Sequence, residues 1–352
     1  MSSATITFSL PWPDRPHGGL PILPVFLPFS GCPVRCIFCA QHIQTGQRES
    51  MPLSAILDQA AQRLSLRRTR QAGPAELAFF GGTFTAMPEE MQAACLALAR
   101  RALHEGDIRA LRCSTRPDCV TPEALARLRT SGCSTVELGV QSFDNAALSA
   151  ARRGYDGARA LAACAQVRTA GLRCGVQLMP GMPGVTPEIF LRDVRRALDA
   201  GASCLRFYPC LVLRGTELAR MYAAGSFIPW PMDVTVDALA EGWLLARAAH
   251  VPVIRLGLAP EAGLNAAIMA GPAHPALGAE VQARALLRTV RRALAEAGAS
   301  RITLLHAPRP VQGCFWGNKR HLAREWAALG VTPATLRWTD EAIISGECAP
   351  EA

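Results

Sequence analysis

The order of apolar runs constrains this chain most. A short run rich in β-branched, aromatic or other apolar residues, followed by a longer amphipathic Ala/Leu/Arg stretch, repeats along most of its length. Runs at 22–29, 77–80, 110–114, 135–140, 174–179, 204–208 and 253–258 are expected strands. The stretches 52–70, 87–105, 122–131, 156–170, 186–200, 232–249 and 277–298 are expected helices. Pro52 fits an early-turn proline, and Thr121-Pro122-Glu123 and Thr186-Pro187-Glu188 each read as a cap, a first-turn proline and an acid. Such alternation implies an α/β fold with a parallel sheet under helices. Six or more successive units argue for a partial or full (β/α) barrel, with an open doubly wound sheet as the alternative. The unusual residues fall in the segments after the strands, 30–39, 81–85, 115–118, 141–142 and 180–184, which in a barrel share the face where active sites lie. From about residue 300 a strand-like 301–305 and a loop with glycine and aromatics suggest a small appended module. The expected organisation is therefore an N-terminal extension 1–19, a barrel 20–298 and a small C-terminal extension 299–352.

Charge adds a weaker hint. The 37 Lys+Arg outnumber 28 Asp+Glu, for a net +9, and Lys319 is the single lysine, leaving 36 arginines. The excess fits an anionic partner such as nucleic acid, or simply an arginine-rich solvated surface. Thirteen cysteines in a chain of 352 residues are too dispersed for a small disulfide scaffold. The opening MSSATITFSLPWPDRP lacks a basic stretch followed by an apolar one, and the best uncharged stretches, 20–34 and 263–279, are broken by Pro and Gly. These features predict no membrane span and a reducing cytoplasmic setting, where clustered cysteines mean metal or redox chemistry.

The cluster is Cys32-Pro33-Val34-Arg35-Cys36-Ile37-Phe38-Cys39, a CxxxCxxC spacing within one loop. Three soft ligands suit an iron–sulfur cluster, whose fourth iron stays open to a small chelator. A structural zinc site is the alternative and needs a fourth ligand, for which His42 is the nearby candidate.

With this triplet the chain resembles the radical S-adenosylmethionine (radical SAM) superfamily. The resemblance continues through Phe80-Gly81-Gly82-Thr83-Phe84-Thr85, Thr115-Arg116-Pro117-Asp118, Leu138-Gly139-Val140-Gln141-Ser142-Phe143, Arg153-Gly154-Tyr155, the segment 177–184 and Arg206-Phe207-Tyr208-Pro209. Together these look like the radical SAM part of the elongator catalytic-subunit group, with the oxygen-independent coproporphyrinogen oxidases a more distant match. The resemblance covers roughly residues 20–275. It implies a 4Fe–4S cluster on Cys32, Cys36 and Cys39, and S-adenosylmethionine chelated to the open iron and cleaved by reduction to a 5′-deoxyadenosyl radical. By the same resemblance Phe38 lies against adenine, Gly81, Gly82 and Thr83 meet the methionine ammonium, Gln141 bonds the ribose and Arg153 pairs with the methionine carboxylate. Arg152, adjacent to Arg153, is an alternative for that last role.

The sequence departs from the pattern in places. Ser114 stands where many relatives have Glu and Gln177 where some have Asp, so the cofactor site is expected to be less acidic; Tyr155 replaces the more usual His. The eukaryotic-type elongator subunit carries an acetyltransferase domain after its barrel, and the roughly fifty to seventy-five residues left here are too few for one. Acetyl-CoA-dependent carboxymethylation of transfer RNA is therefore not expected to carry over whole.

Candidate substrate contacts are Tyr208, Arg214, His274, Lys319 and Arg320. Arg214 precedes Thr216, which also reads as a helix cap, and His274 sits in a proline-flanked loop. Arg255-Leu256-Gly257-Leu258 ends a further strand and is expected to close the cofactor pocket. In 313–321, aromatics followed by Lys-Arg-His suit unpaired bases and phosphates, while Phe315 and Trp316 equally suit a packing plug. The expected function is radical SAM modification of RNA, as transfer RNA, with a reductant such as flavodoxin or ferredoxin. The alternatives are radical oxidation or rearrangement of a small metabolite, and a non-catalytic cluster carrier.

Overall fold

In a computed structural model the described residues are 6–12, 19–44, 51–258 and 262–350, apart from the side chains at 42, 44 and 262. Thirteen strands run through them: β1 (Ile6–Pro11), β2 (Ile22–Phe26), β3 (Ala75–Phe80), β4 (Ile108–Thr115), β5 (Cys133–Gln141), β6 (Arg173–Leu178), β7 (Cys204–Phe207), β8 (Val212–Leu213), β9 (Val253–Leu256), β10 (Ile268–Ala270), β11 (Ala299–Pro308), β12 (Leu336–Thr339) and β13 (Ile343–Pro350). They belong to two compact units, one from 20–238 with 245–275, the other from 1–19, 239–244 and 276–352.

The first unit is built on a seven-stranded sheet in the order β2-β3-β4-β5-β6-β7-β9, every pair parallel. Helices Leu53–Thr69, Glu89–His104, Pro122–Thr130, Gly157–Thr169 and Pro187–Asp199 follow successive strands. The sheet is a half-barrel, because β2 and β9 end the order without pairing to each other. Central strands are buried on both faces. Burial runs unbroken from Ala75 to Phe79 along β3, with no alternation, which suits a sheet covered on both sides. Helix starts follow their caps. Thr121 Oγ1 accepts from Ala124 N–H at 3.2 Å and Thr186 Oγ1 from Ile189 N–H at 3.3 Å, each with a proline in the first turn. Thr216 does the same for Glu217–Ala223, accepting from Ala219 N–H at 3.1 Å, so it is a cap.

A chain of buried charges crosses the inner face of the half-barrel. Arg112 on β4 bonds Glu76 on β3 and, at 2.8 Å, Glu137 on β5. Glu137 in turn holds Arg206 on β7, with Arg206 Nη2 donating at 3.0 Å, and Arg206 Nη1 donates to Tyr208 Oη at 3.0 Å. Glu137 reaches past β6 because position 175 is glycine: a Cβ there would lie 2.9 Å from Glu137 Cγ. Two guanidinium and two carboxylate groups balance, which is the condition for keeping such charges out of water.

Asp193 anchors the loop after β5. Its carboxylate accepts from Ser142 Oγ–H at 2.5 Å and from Phe143 N–H at 3.0 Å. Burial pushes its pKa up from 3.8 to about 6, against the opposing pull of these bonds. A raised carboxyl pKa favours the folded state below the unfolded value and loses that advantage as pH rises through the folded one. Relative to Asp193→Asn, the wild type is expected to lose about 2–3 kcal/mol of stability between pH 4 and pH 6. Urea titrations of both proteins across that window measure the difference, and parallel curves would contradict it.

The second unit is a four-stranded sheet ordered β1-β13-β11-β12, with β12 parallel to β11 and the other pairs antiparallel. Helix Leu277–Glu296 packs on β11 and β1, and Phe315 and Trp326, both in the segment between β11 and β12, are fully buried. No described helix is long and apolar enough to cross a membrane.

Candidate active site

The cysteine loop is held against the end of β3 by backbone. Leu27 N–H donates to Phe80 O at 2.8 Å and Thr83 N–H to Ser30 O at 2.7 Å. Gly82, in the left-handed region at φ 59°, lies so close to this loop that a Cβ would sit 2.2 Å from Ser30 O. Its glycine is thus required by loop packing alone. Gln41 pins both segments, its Oε1 accepting from Phe29 N–H at 2.6 Å and Gly82 N–H at 2.9 Å.

This scaffold presents Cys32, Cys36 and Cys39 to one wall of a cavity of about 580 Å³ at the C-terminal ends of the strands. All three are half-buried, free thiols. Arg153 Nη1–H donates to Cys36 Sγ at 2.7 Å and Arg116 Nη1–H at 3.7 Å. Cys32 Sγ lies 3.3 Å from Thr83 Oγ1. Burial pushes the Cys39 thiol up to about 12, and the neighbouring thiolates Cys36 and Cys32 add to the shift. Burial likewise raises Cys32. Thiols in such surroundings ionise when a metal supplies the compensating charge.

Arg153 is buried with no carboxylate partner among the described residues; its other bonds run to Tyr155 Oη and Gly139 O. Tyr155 Oη also lies 3.0 Å from the carbonyl oxygens of Gly139 and Val140, so it wedges the guanidinium toward the thiols. Arg152 is exposed instead and reaches Glu217 at 4.0 Å. Arg116 is fixed by a two-pronged pair with Asp118 at 2.9 and 2.8 Å.

Of the residues singled out in the sequence, Cys32, Cys36, Cys39, Phe38, Gly81, Gly82, Ser114, Gln141, Arg153, Gln177, Tyr208 and Arg255 line this one cavity. Thr83 is buried behind it. Arg214 is exposed and His274 half-buried, and neither lines the cavity. Lys319 and Arg320 belong to the other unit. The side chain of His42 lies outside the described part of the structure. Among the described residues Ser114 Oγ and Gln141 Oε1 are buried without a hydrogen-bond partner, and Gln141 holds a left-handed φ of 70°. Orphaned polar atoms beside a strained non-glycine residue mark a site built for a polar ligand.

Sequence reasoning gave no role to Gln41 and did not separate Arg206 from the motif around it. Arg206 and Arg255 join Arg35, Arg116 and Arg153 in the lining, which among the described residues contains no aspartate or glutamate. Arg206 also lies over the Phe80 ring at 4.7 Å. No three described Cys, His, Asp or Glu side chains are gathered around one point as a single bound ion needs. Three thiols from one loop are the donor set of a 4Fe–4S cluster.

The model of the radical SAM superfamily matches residues 26–197, and that of the radical SAM C-terminal domain matches 202–287. The chain belongs to the radical SAM superfamily. This radical SAM enzyme therefore has a 4Fe–4S cluster and S-adenosylmethionine as its cofactors, and three thiols with orphaned polar atoms in one cavity fit them. Among relatives, it is 27% identical to the tRNA uridine(34) acetyltransferase of Methanocaldococcus infernus, over 65% of this chain and 50% of that protein. It is 27% identical to the heme chaperone HemW of Mycobacterium tuberculosis, over 68% of this chain and 60% of that one. The chain thus spans half of the first relative's length. The solved structure of the Methanocaldococcus infernus Elp3 with an N-terminal deletion shares the fold, with a TM-score of 0.61, 22% identity and coverage of 78% of this chain and 64% of that one.

Proposed function

We propose that this enzyme reductively cleaves S-adenosylmethionine to modify RNA, with transfer RNA as substrate. The supporting observation is the cavity itself: five arginines line it, of which Arg35, Arg153 and Arg255 have no carboxylate partner among the described residues, and three thiols stand on one wall. Such a cavity selects anions, and RNA is the polyanion named for the similar tRNA uridine(34) acetyltransferases.

When bound, the cluster and S-adenosylmethionine supply one-electron cleavage of a sulfonium bond and a 5′-deoxyadenosyl radical that takes a hydrogen atom from the substrate. Cys32, Cys36 and Cys39 hold the cluster. Arg153 and Arg116 offset thiolate charge, and Arg153 orients the methionine carboxylate by a charge-assisted bond. Ser114 and Gln141 complete their hydrogen bonding on ribose hydroxyls, with Gln177 beside them, and Phe38 packs on the adenine. Gly81, Gly82 and Thr83 form the turn that meets the ammonium. Tyr208, held by Arg206, faces the substrate side with Arg255 and Arg35. Ile22, Phe26, Val34 and Ile254 form an apolar, exposed rim that a bound substrate covers, keeping water from the radical. Electrons come from a flavodoxin- or ferredoxin-type donor in a reducing cytoplasm.

Anaerobically reconstituted protein with dithionite is expected to form 5′-deoxyadenosine, faster with bulk transfer RNA and less so as salt rises. Transfer RNA nucleosides from cells with and without the gene, compared by mass spectrometry, are expected to differ in one modified nucleoside. Stimulation by a small-molecule extract alone would assign the enzyme to metabolite chemistry, and no product from an intact cluster would make it a carrier.

A further inference from the structure

The second unit carries a pocket of its own, of about 300 Å³, lined by Gln312, Trp316, Pro333, Leu336 and Trp338. Its walls are set by Phe315. That ring stacks on Trp326 at 4.2 Å, and Trp316 and Trp338 meet it edge-on at 5.0 and 5.4 Å. Phe315 and Trp326 are fully buried, and the Trp326 indole N–H donates to Phe315 O at 2.9 Å. The plug and the platform are thus separate residues: Phe315 fills the core, while Trp316 and Trp338 remain half-buried at the pocket.

Two cations follow Trp316 in the chain, and one of them meets its ring. Lys319 and Arg320 are exposed, and the Arg320 guanidinium lies 5.3 Å from the Trp316 ring centroid. Neither forms an ion pair among the described residues, and neither does the exposed Arg324. Lys319 and Arg320 also hold consecutive left-handed φ values of 51° and 60°, which non-glycine residues avoid. The loop is kept there from below: Asn318 N–H donates to Glu280 Oε1 at 2.7 Å, and His321 Nε2 lies 3.4 Å from Glu280 Oε2. A strained loop that carries two cations without an ion pair among the described residues, one of them over the Trp316 ring, is an arrangement with a ligand to serve.

We infer that the Trp316–Trp338 pocket binds one unpaired nucleotide of the RNA substrate, its base against the indoles and its phosphate on Lys319 and Arg320. Ring faces accept any base, an amide at Gln312 can meet a base edge, and the two cations match a single backbone phosphate. The inference rests on the RNA reading of the enzyme and gives that reading an anchoring site outside the cysteine cavity.

The test is fluorescence anisotropy of labelled bulk transfer RNA with the reconstituted full chain, in wild type, Trp316→Ala, Trp316→Phe and Lys319→Ala. Trp316→Ala is expected to weaken binding by about ten-fold or more, as loss of one stacked base does, and Trp316→Phe to retain most of it. Lys319→Ala is expected to lower the salt slope of binding by about one. Iron content and melting temperature check that each variant folds, and Lys319→Ala at an exposed position serves if Trp316→Ala does not. Equal affinity and salt slope in all four proteins overturn this site while leaving the RNA reading standing. Absence of transfer RNA binding by the wild type overturns both. Saturation of the pocket by micromolar AMP or UMP, read by tryptophan fluorescence, would assign it to a free nucleotide and overturn the anchoring role.

Discussion

The enzyme with Cys32, Cys36 and Cys39 all changed to alanine is expected to hold no iron–sulfur chromophore and to form no 5′-deoxyadenosine, yet to fold. These are the thiols that line the cavity beside Arg153 and Arg116, and thiolate is the ligand such a cluster needs. Cys210 also lines the cavity but is fully buried on the segment after β7, where it fills space. The fold survives because the loop's position does not depend on sulfur. It is fixed by backbone bonds to Phe80 and Ser30 and by the Gln41 side chain. The sulfur atoms add a hydrogen bond between Cys32 and Thr83 and bonds from Arg153 and Arg116 to Cys36. Both arginines keep other partners when Cys36 is removed, Tyr155 for one and Asp118 for the other. Absorbance after anaerobic reconstitution, iron analysis and chromatographic detection of 5′-deoxyadenosine measure the first part, and circular dichroism measures the second. A triple variant that still turns over S-adenosylmethionine would remove these thiols from the chemistry.

The largest expected effect on stability lies one layer below. Changing Glu137 to methionine takes away the carboxylate shared by Arg112 and Arg206 and leaves two buried guanidinium groups facing one carboxylate, Glu76. Breaking a buried pair in this way costs about 3–5 kcal/mol, far more than the pair contributes relative to well-packed apolar groups. Adding Arg206→Met in the same chain restores the balance, since Arg112 keeps its buried pair with Glu76, and is expected to recover part of the loss. Urea midpoints at constant slope measure both variants. A Glu137→Met protein as stable as wild type would mean that water reaches this chain of charges.

Much of the first unit was legible because its signals are local. Each parallel strand is an apolar run with a helix after it, and Thr121, Thr186 and Thr216 announce helix starts by their own hydrogen bonds. The cysteine spacing and the segments after the strands supply part of the cavity lining for the same reason: a half-barrel gathers those segments at one end. What escaped depends on partners far apart in the chain. Glu76, Arg112, Glu137 and Arg206 each look like an ordinary charge in a strand until the sheet order and Gly175 bring them together. Gln41 acts through two amides, at 29 and 82, that no pattern connects to it. In the second unit, β1 shows only half-burial in alternation, and its partner β13 lies at the opposite end of the described chain, so nothing nearby in sequence marks either strand. The aromatic loop was ambiguous because Phe315 and Trp316 are neighbours with opposite tasks, one inside and one at the surface.

The decisive measurement is the metal content and S-adenosylmethionine turnover of wild-type protein purified without oxygen. About four iron atoms with matching sulfide per chain, and 5′-deoxyadenosine formed only with a reductant, are expected from three thiolates holding a cube with one open iron. One zinc per chain in place of iron, with no cleavage on reduction, would contradict it.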